Sequence, residues 1–383
     1  MLIGIDASRA NHDQRTGVEE YAYSVIQELK KITPDNVRVV LYTDRSLQGE
    51  LAKLPVNWSE KVLHWLPKRL WTQIRLSLEM FLNPPDILFI PAHVFPIIHP
   101  QKTVMTIHDI AAIKFSKSYN WFERRYTLWS SKYAVRKLWQ VLVPSEFTKQ
   151  ELISNFQISP ATAGSRLHSG TISNKISVIS HGYDKRYQKI ENKTKIEEVL
   201  KKYSIKQPFL LSVGRLEEKK NTVRIVEAFN LLKVRNPKSE VQLVLVGKPG
   251  YGYEKVKQAI EVSPFRSDII TPGWVAEDDL PYLMSGAEVF VFPSLYEGFG
   301  LPVLEALSCG CPVVASKGSS LEEVGGNACL CVDSENIEEI KEAIMKLLQN
   351  TECRMQNIAK GLERVKEFSW EKCARETLKQ LTI

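Results

Sequence analysis

Residues 290–310 read FVFPSLYEGFGLPVLEALSCG, and this stretch decides the fold. Phe290, Val291 and Phe292 are apolar at every position, as in a strand buried on both faces. A glycine-bearing loop follows, then a helical segment over 301–308. Pro302 falls in its first turn, where the missing N–H would have had no helical partner. Strand, glycine loop and helix make half of a βαβ unit.

The same alternation runs outward through the chain. Strands are expected at 2–5, 37–42, 62–66, 87–91, 103–107, 141–143 and 176–179, then at 209–213, 242–246, 269–270, 289–292, 313–315 and 329–332. Helices are expected between them, among others at 18–30, 222–233, 301–308 and 337–348, with Ser145 capping another. The fold class is therefore α/β, with two Rossmann-like doubly wound domains facing across a cleft at the carboxyl ends of their strands. A polar run suggests a linker at 185–200, separating domains at 1–184 and 201–366. Residues 159–174, rich in Ser, Thr, Gly and Ala, read as a surface loop.

The chain has 383 residues, 44% hydrophobic and 25% charged, which suits two globular domains and excludes a disordered chain. Its formal net charge of +7 is mild for this length. It fits an anionic small partner such as a nucleotide diphosphate, and nothing points to nucleic acid. The N-terminus lacks a basic, apolar leader pattern. No run reaches the ~18 apolar residues of a membrane span. A cytoplasmic protein is expected. The C-x-C pairs Cys309/Cys311 and Cys329/Cys331 do not have zinc-site spacing and read as small core residues.

Three groups of residues carry chemistry. The first is the 290–310 stretch, where backbone N–H groups of Phe299, Gly300 and Leu301 and the helix dipole make a seat for phosphate. Glu297 before that helix and Glu305 inside it can grip separate hydroxyls of one extended ligand. The plainer reading makes Glu297 a cap and Glu305 a solvated acid. The second is SVGRLEEKKN, 212–221, after the first strand of the second half. There Gly214 opens a βα loop, and Arg215 and Lys220 can neutralise a departing diphosphate. A basic loop is also a common surface feature. The third is the set of loops with Gly250 and Val275, which can clasp a planar base or be plain tight turns.

The E-x7-E pair Glu297/Glu305 within FVFPSLYEGFGLPVLEALSCGCPVVAS, together with SVGRLEEKKN, resembles the retaining glycosyltransferases of family 4, which have the GT-B fold. The resemblance implies a nucleotide-sugar donor. It places Glu305 on the donor ribose, Glu297 on sugar hydroxyls, the 299–301 backbone near sugar and phosphate, and Arg215 and Lys220 on the diphosphate. In the first domain it places Thr16-Gly17-Val18 at a loop that closes on the phosphates, and His108 beside the transferred sugar. GIDASR, RTGVEEYAYSVIQEL, PAHVFP, TIHDIA and VPSEFTKQEL are similar to the mannosyltransferase-like branch. GDP-mannose is then the first expectation for the donor, as co-substrate with no further cofactor. Residues 367–383 resemble the family's last helix, which returns to the first domain, with Ser369 as its cap. The chain departs from the family at 159–174 and at His181, where Asn is commoner.

No Asp-x-Asp lies on a suitable loop, so no obligatory metal is expected. The acceptor is expected to be a saccharide or a lipid-linked oligosaccharide. Phe122, Tyr126, Trp129 and Tyr133 share one helix face. With the nearby Arg and Lys, and with a second basic aromatic stretch at 65–81, they fit either an anionic membrane surface or ordinary packing on the sheet. Rival readings are an epimerase or phosphorylase of the same architecture, and a binding scaffold without catalysis. A dehydrogenase is disfavoured, since no G-x-G-x-x-G follows either first strand.

Overall fold

The structure, a computed structural model, describes residues 1–12, 15, 17–66, 70–156 and 175–383. The chain divides into two units: Met1–Gly182 with Ser369–Ile383, and Tyr183–Phe368. Each is built on its own parallel sheet.

In the first unit the strands are β1 (Leu2–Asp6), β2 (Arg38–Thr43), β3 (Trp58–Val62), β4 (Ile87–Ile90), β5 (Thr103–Thr106), β6 (Gln140–Val143) and β7 (Ile176–Val178). They pair in the order β3-β2-β1-β4-β5-β6-β7. The strand expected at 62–66 lies earlier. Edge strand β3 pairs Trp58 to Val62 with Val39 to Thr43, and its interior is Ser59, Glu60 and Lys61. An edge strand needs only one buried face, so the apolar run just after it was the wrong guide; Leu66 there is fully exposed. The helix Gly17–Ile32 buries Tyr21, Val25, Ile26 and Leu29. The terminal helix Trp370–Leu381 packs beside it, started by Ser369, whose hydroxyl accepts the Lys372 N–H at 3.1 Å.

The second unit has β8 (Phe209–Val213), β9 (Gln242–Val246), β10 (Ile269–Gly273), β11 (Val289–Phe292), β12 (Val313–Ser316) and β13 (Cys329–Val332). Their order is β10-β9-β8-β11-β12-β13. Side chains alternate between two cores. Phe209, Leu211, Val244, Val246, Phe290 and Phe292 face one, while Leu210, Leu243, Leu245, Val289 and Val291 face the other. Full burial of each such side chain is worth about 1.5–3 kcal/mol, which is why both faces must be roofed by helices.

The stretch 185–200 is no free linker. Helix Lys193–Lys202, capped by the Asn192 side chain, buries Ile196 and Leu200 in the second unit's core. Its many lysines and glutamates mask an apolar pair one turn apart. The segment 159–174, expected as a surface loop, lies outside the described residues. All six cysteines are free thiols, with Cys309, Cys311, Cys329 and Cys373 buried.

Candidate functional site

The strand order of the second unit sends the chain from β8 outward to β9 on one side, and from β11 outward to β12 on the other. The point of divergence is where α/β sheets leave room for a ligand at the strands' carboxyl ends. The loops 214–221 and 293–300 both emerge there. Residues far apart in sequence thereby become neighbours.

Lys220 and Glu297 meet directly. The Lys220 ammonium donates to Glu297 Oε1 at 2.5 Å, with side chains only 18% and 12% exposed. Ser294 Oγ donates to the same carboxylate oxygen at 2.8 Å. Lys220 Nζ also lies 5.0 Å from the centroid of the Phe292 ring, a cation–π contact on the floor of the site. Ser294, not singled out in the sequence, also has its Oγ 2.9 Å from the Lys219 carbonyl, to which the Leu295 N–H donates at the same distance. Asn221 was likewise missed as a fastener. It is 3% exposed, left-handed at φ 61°, and its amide donates to the Pro293 and Ser334 carbonyls. The available signal was an Asn at the junction of a loop and a helix, where a left-handed residue is common.

Arg215 is exposed on the same loop, and among the described residues no acid pairs with it. Gly214 lies against the Lys220 stem; a Cβ there would be 3.5 Å from Lys220 Cε. The 214–221 and 247–252 loops continue the sheet's ladder beyond the strands. Leu216 N–H donates to the Lys248 carbonyl, Gly250 N–H to Leu216, and Glu218 N–H to Tyr251, each at 3.0 Å. Gly250 is accounted for by this packing, since a Cβ would come within 2.5 Å of Glu217 Oε2. Its smallness serves the neighbouring loop.

Phe299, Gly300 and Leu301 sit at the start of helix Leu301–Ser308 as expected from sequence, with Pro302 in its first turn. Phe299 is 5% exposed, and its ring packs on Phe368 at 5.9 Å between centroids. Its side chain is a core group and not a ligand contact. The same holds for Val275, 2% exposed. Gly300 adopts φ 112°, with Leu321 filling the space a Cβ would need. Glu305 is half-buried on the helix, and its charge is felt by Tyr187 and Cys309. Burial first, and Glu305 second, push the Cys309 thiol up to about 12. The structure thus brings Glu297 to Lys220 and gives Glu305 a separate set of neighbours. Among the described residues no three His, Cys, Asp or Glu side chains converge as metal ligands.

In the first unit, Gly17 is exposed at the start of its helix, while Thr16 lies outside the described residues. His108, just past β5, is buried against Tyr21, His93 and His181, with ring centroids at 4.6, 5.3 and 5.3 Å. His181 in turn lies 5.8 Å from the ring of Trp370. Sequence reading gave His93 no role; its position in the turn after β4 was the only clue. His108 Nε2 lies 3.0 Å from the Pro91 carbonyl. A carbonyl only accepts, so Nε2 carries the proton and Nδ1 the lone pair. Burial, then the neighbouring His93, lower the His108 pKa from 6.5 to about 3. His108 is a neutral hydrogen-bonding group.

That shift has a measurable consequence. Folding holds His108 neutral, while in the unfolded chain it takes up a proton near 6.5. Stability from this group is therefore complete above about pH 6.5 and is lost progressively as pH falls towards 3. His93 and His181 are shifted the same way by burial. Denaturant melts across this range should show first-unit stability falling with acid. His108→Gln should remove about one proton's worth of that slope; an unchanged slope would contradict the burial argument.

Known proteins share the fold and the family. The pattern described as "Glycosyl transferases group 1" matches residues 193–364, and that described as "Glycosyltransferase Family 4" matches residues 15–186. The O-antigen chain mannosyltransferase B of Escherichia coli is 33% identical over 279 residues, covering 73% of this chain and 69% of the relative. The serotype-specific mannosyltransferase WbdA of Escherichia coli is 27% identical over 286 residues, 74% of this chain but 34% of that longer protein. Among solved structures, WaaG, a glycosyltransferase involved in lipopolysaccharide biosynthesis, superposes with a TM-score of 0.72 at 16% identity, over 100% of both chains. Anabaena Alr3699/HepE, in complex with UDP and glucose, superposes equally well at 0.72 and 16%, covering 100% of this chain and 99% of that one. The chain therefore belongs to the family 4 glycosyltransferases of GT-B fold, in their mannosyltransferase-like branch.

Proposed function

We propose that this glycosyltransferase moves mannose from GDP-mannose onto a saccharide or lipid-linked oligosaccharide acceptor, with retention of anomeric configuration, during synthesis of a cell-envelope polysaccharide. It does so in the cytoplasm, at the inner face of the membrane where the acceptor is lipid-linked. The observation that carries this reading is the Lys220–Glu297 pair, held at 2.5 Å at the switch point of the second unit. A cation and a carboxylate fixed side by side suit a ligand that presents phosphate and sugar hydroxyls together.

On this reading Lys220 and Arg215 stabilise the diphosphate as it leaves, and the backbone at 299–301 receives its oxygens. Glu297 accepts from hydroxyls of the transferred sugar, and Glu305 holds the ribose. The 247–252 loop and the Val275 backbone border the base. The leaving diphosphate takes the acceptor's proton on the face it departs from, so no protein base is required. Charge on the diphosphate is met by Arg215, Lys220 and the helix start, and the reaction uses no obligatory metal. The names of the mannosyltransferase relatives support mannose as the sugar.

A thermal-shift panel of GDP, UDP and ADP sugars tests the donor. GDP-mannose is expected to raise the melting temperature most, by about 5–10 °C at a hundredfold excess over Kd. Incubation with an acceptor and NMR of the new anomeric centre tests the rest. Free nucleotide without a glycosylated product would sink the transfer reading, and an inverted product would sink retention.

A further inference from the structure

The first sheet has a switch point of its own. Its chain runs outward from β1 to β2 and β3 on one side, and from β4 to β5, β6 and β7 on the other. Strands β1 and β4 are neighbours, with Ile5 opposite Phe89. The crevice beyond their carboxyl ends is where such a sheet leaves room for a ligand. Arg215, Lys220, Glu297 and Glu305, the side chains proposed for the donor, all belong to the second unit.

Asp6, the last residue of β1, stands at that crevice and is 3% exposed. The Ser8 N–H and the Ser8 hydroxyl both donate to its Oδ1, at 3.0 and 2.6 Å. Among the described residues nothing donates to Oδ2, and no cation pairs with the carboxylate. Arg9, the nearest in sequence, lies instead 3.7 Å from Glu19, with its side chain 48% exposed. Burial pushes the Asp6 carboxyl above its ordinary value; the two Ser8 bonds and the Arg9 charge lower it, and a rise remains. A carboxylate taken out of water with no cation and one oxygen unused is costly to a fold. If the loop after β1 needed only an anchor, asparagine would serve, since its carbonyl oxygen accepts both Ser8 bonds without that cost.

His93 lies across the switch point, in the turn after β4. Its ring packs edge-on against His108, with centroids 5.3 Å apart. Burial lowers its pKa, so the imidazole is neutral and has one N–H and one lone pair. Nδ1 is enclosed and has no partner. An enclosed N–H without an acceptor is the costlier orphan, which puts the lone pair at Nδ1 and the proton at Nε2. His93 is only half-buried, and Nε2–H is the donor it has to offer. The Arg9 charge is felt at both Asp6 and His93.

An unused acceptor and an unused donor on the two sides of one crevice suit the hydroxyl groups of a sugar. A diphosphate does not fit, because Asp6 would repel it at short range with no cation between them. The Arg9 charge disfavours a cationic ligand. Among the described residues no three side chains gather as metal ligands.

We propose that the first unit binds the acceptor saccharide at this switch point, Asp6 Oδ2 accepting from one hydroxyl and His93 Nε2–H donating to another. The inference rests on the transfer reading for its saccharide and adds the subsite that holds it. The hydroxyls held here are not the one that reacts, and no proton changes hands.

Saturation-transfer NMR on the full chain, without donor, tests it. The probes are the methyl glycosides of mannose, glucose, galactose, N-acetylglucosamine and glucosamine. At least one neutral glycoside is expected to bind. Asp6→Asn keeps an acceptor for both Ser8 bonds and should weaken that binding about ten- to a hundredfold, the usual worth of a hydrogen bond to a charged group. His93→Phe keeps a ring against His108 and should weaken it about two- to tenfold, as for one neutral bond. Both variants should keep the melting temperature and the donor-panel shifts of the unaltered chain. Binding of no neutral glycoside, or an unchanged Kd in Asp6→Asn, overturns the proposal. So does a preference for the glucosamine glycoside over that of glucose, which would assign Asp6 to a cation, or a donor shift lost with Asp6→Asn. If Asp6→Asn does not fold, His93→Phe decides by the same criterion. The donor panel is read without glycosides, so the two failures are distinct: a glycoside held through Asp6 with no GDP sugar bound would keep the subsite and sink the GDP-mannose reading.

Discussion

Lys220→Ala is expected to lower kcat by about 10²–10³-fold, the usual loss when one preorganised charge-stabilising group is removed, or about 3–4 kcal/mol. The ammonium does not have to be recruited. Phe292 lies beneath it, Gly214 lies along its stem, and Glu297 holds it at 2.5 Å in a site less than one-fifth exposed. Such surroundings strengthen its interaction with an approaching diphosphate relative to bulk water. A competing effect must be separated from catalysis. Removing the lysine also leaves the Glu297 carboxylate part-buried with Ser294 as its remaining neutral donor, and stranded charges destabilise. Steady-state kinetics should therefore be read beside calorimetry. Glu297→Gln keeps the shape and removes the charge, and the Lys220→Ala/Glu297→Gln double variant closes a cycle. If the two act as one unit, the double variant is barely worse than the worse single one, with a coupling above about 1 kcal/mol. Full turnover in Lys220→Ala would remove this pair from the proposed chemistry. A fall in melting temperature that tracks the lost activity would leave it a structural role only.

Gly247→Ala is expected to unfold or strongly destabilise the second unit, by about 4 kcal/mol or more. Gly247 sits at φ +147°, with its N–H donating to the Gly273 carbonyl at 2.9 Å. A Cβ there would overlap the carbonyl oxygen of Gly214. The Cβ position is fixed by its own backbone and the carbonyl is backbone, so no rotamer change relieves the clash. Strands β8, β9 and β10 would have to splay at the end that carries the site. Strain of this kind costs about 1–3 kcal/mol before the steric overlap is counted, and domains hold only about 5–15 kcal/mol in total. At roughly 2–4 °C per kcal/mol for a unit of this size, calorimetry should show a drop of about 10 °C or more, or no second-unit transition at all. Gly17→Ala is the comparison, since a Cβ at Gly17 meets nothing within 4 Å. Equal melting temperatures for the two variants would refute the close approach of the two loops.

Much of the architecture can be read from residue order because parallel strands buried on both faces need unbroken apolar runs. The runs at 209–213, 242–246, 289–292 and 329–332 coincide with the strands β8, β9, β11 and β13. Edge strand β3 was misplaced because one polar face breaks that pattern, and the helix at 193–202 was hidden because two buried side chains among charges look like a linker. The candidate residues Arg215, Lys220, Glu297 and Glu305 were likewise visible as motifs, each beside a strand end or a helix start.

Sequence by itself determined the alternation of strand and helix, the two sheets, and which short segments bear charge next to glycine. These follow from local periodicity and backbone permissiveness, which act over a few residues. Only the tertiary structure decided that Lys220 binds Glu297, that Ser294 and Asn221 fasten their loops, that Gly250 makes room for Glu217, and that Asp6 is buried with no ion-pair partner among the described residues. Those facts depend on strand order. A switch between β8 and β11 brings together residues 77 positions apart, and no local rule encodes that distance.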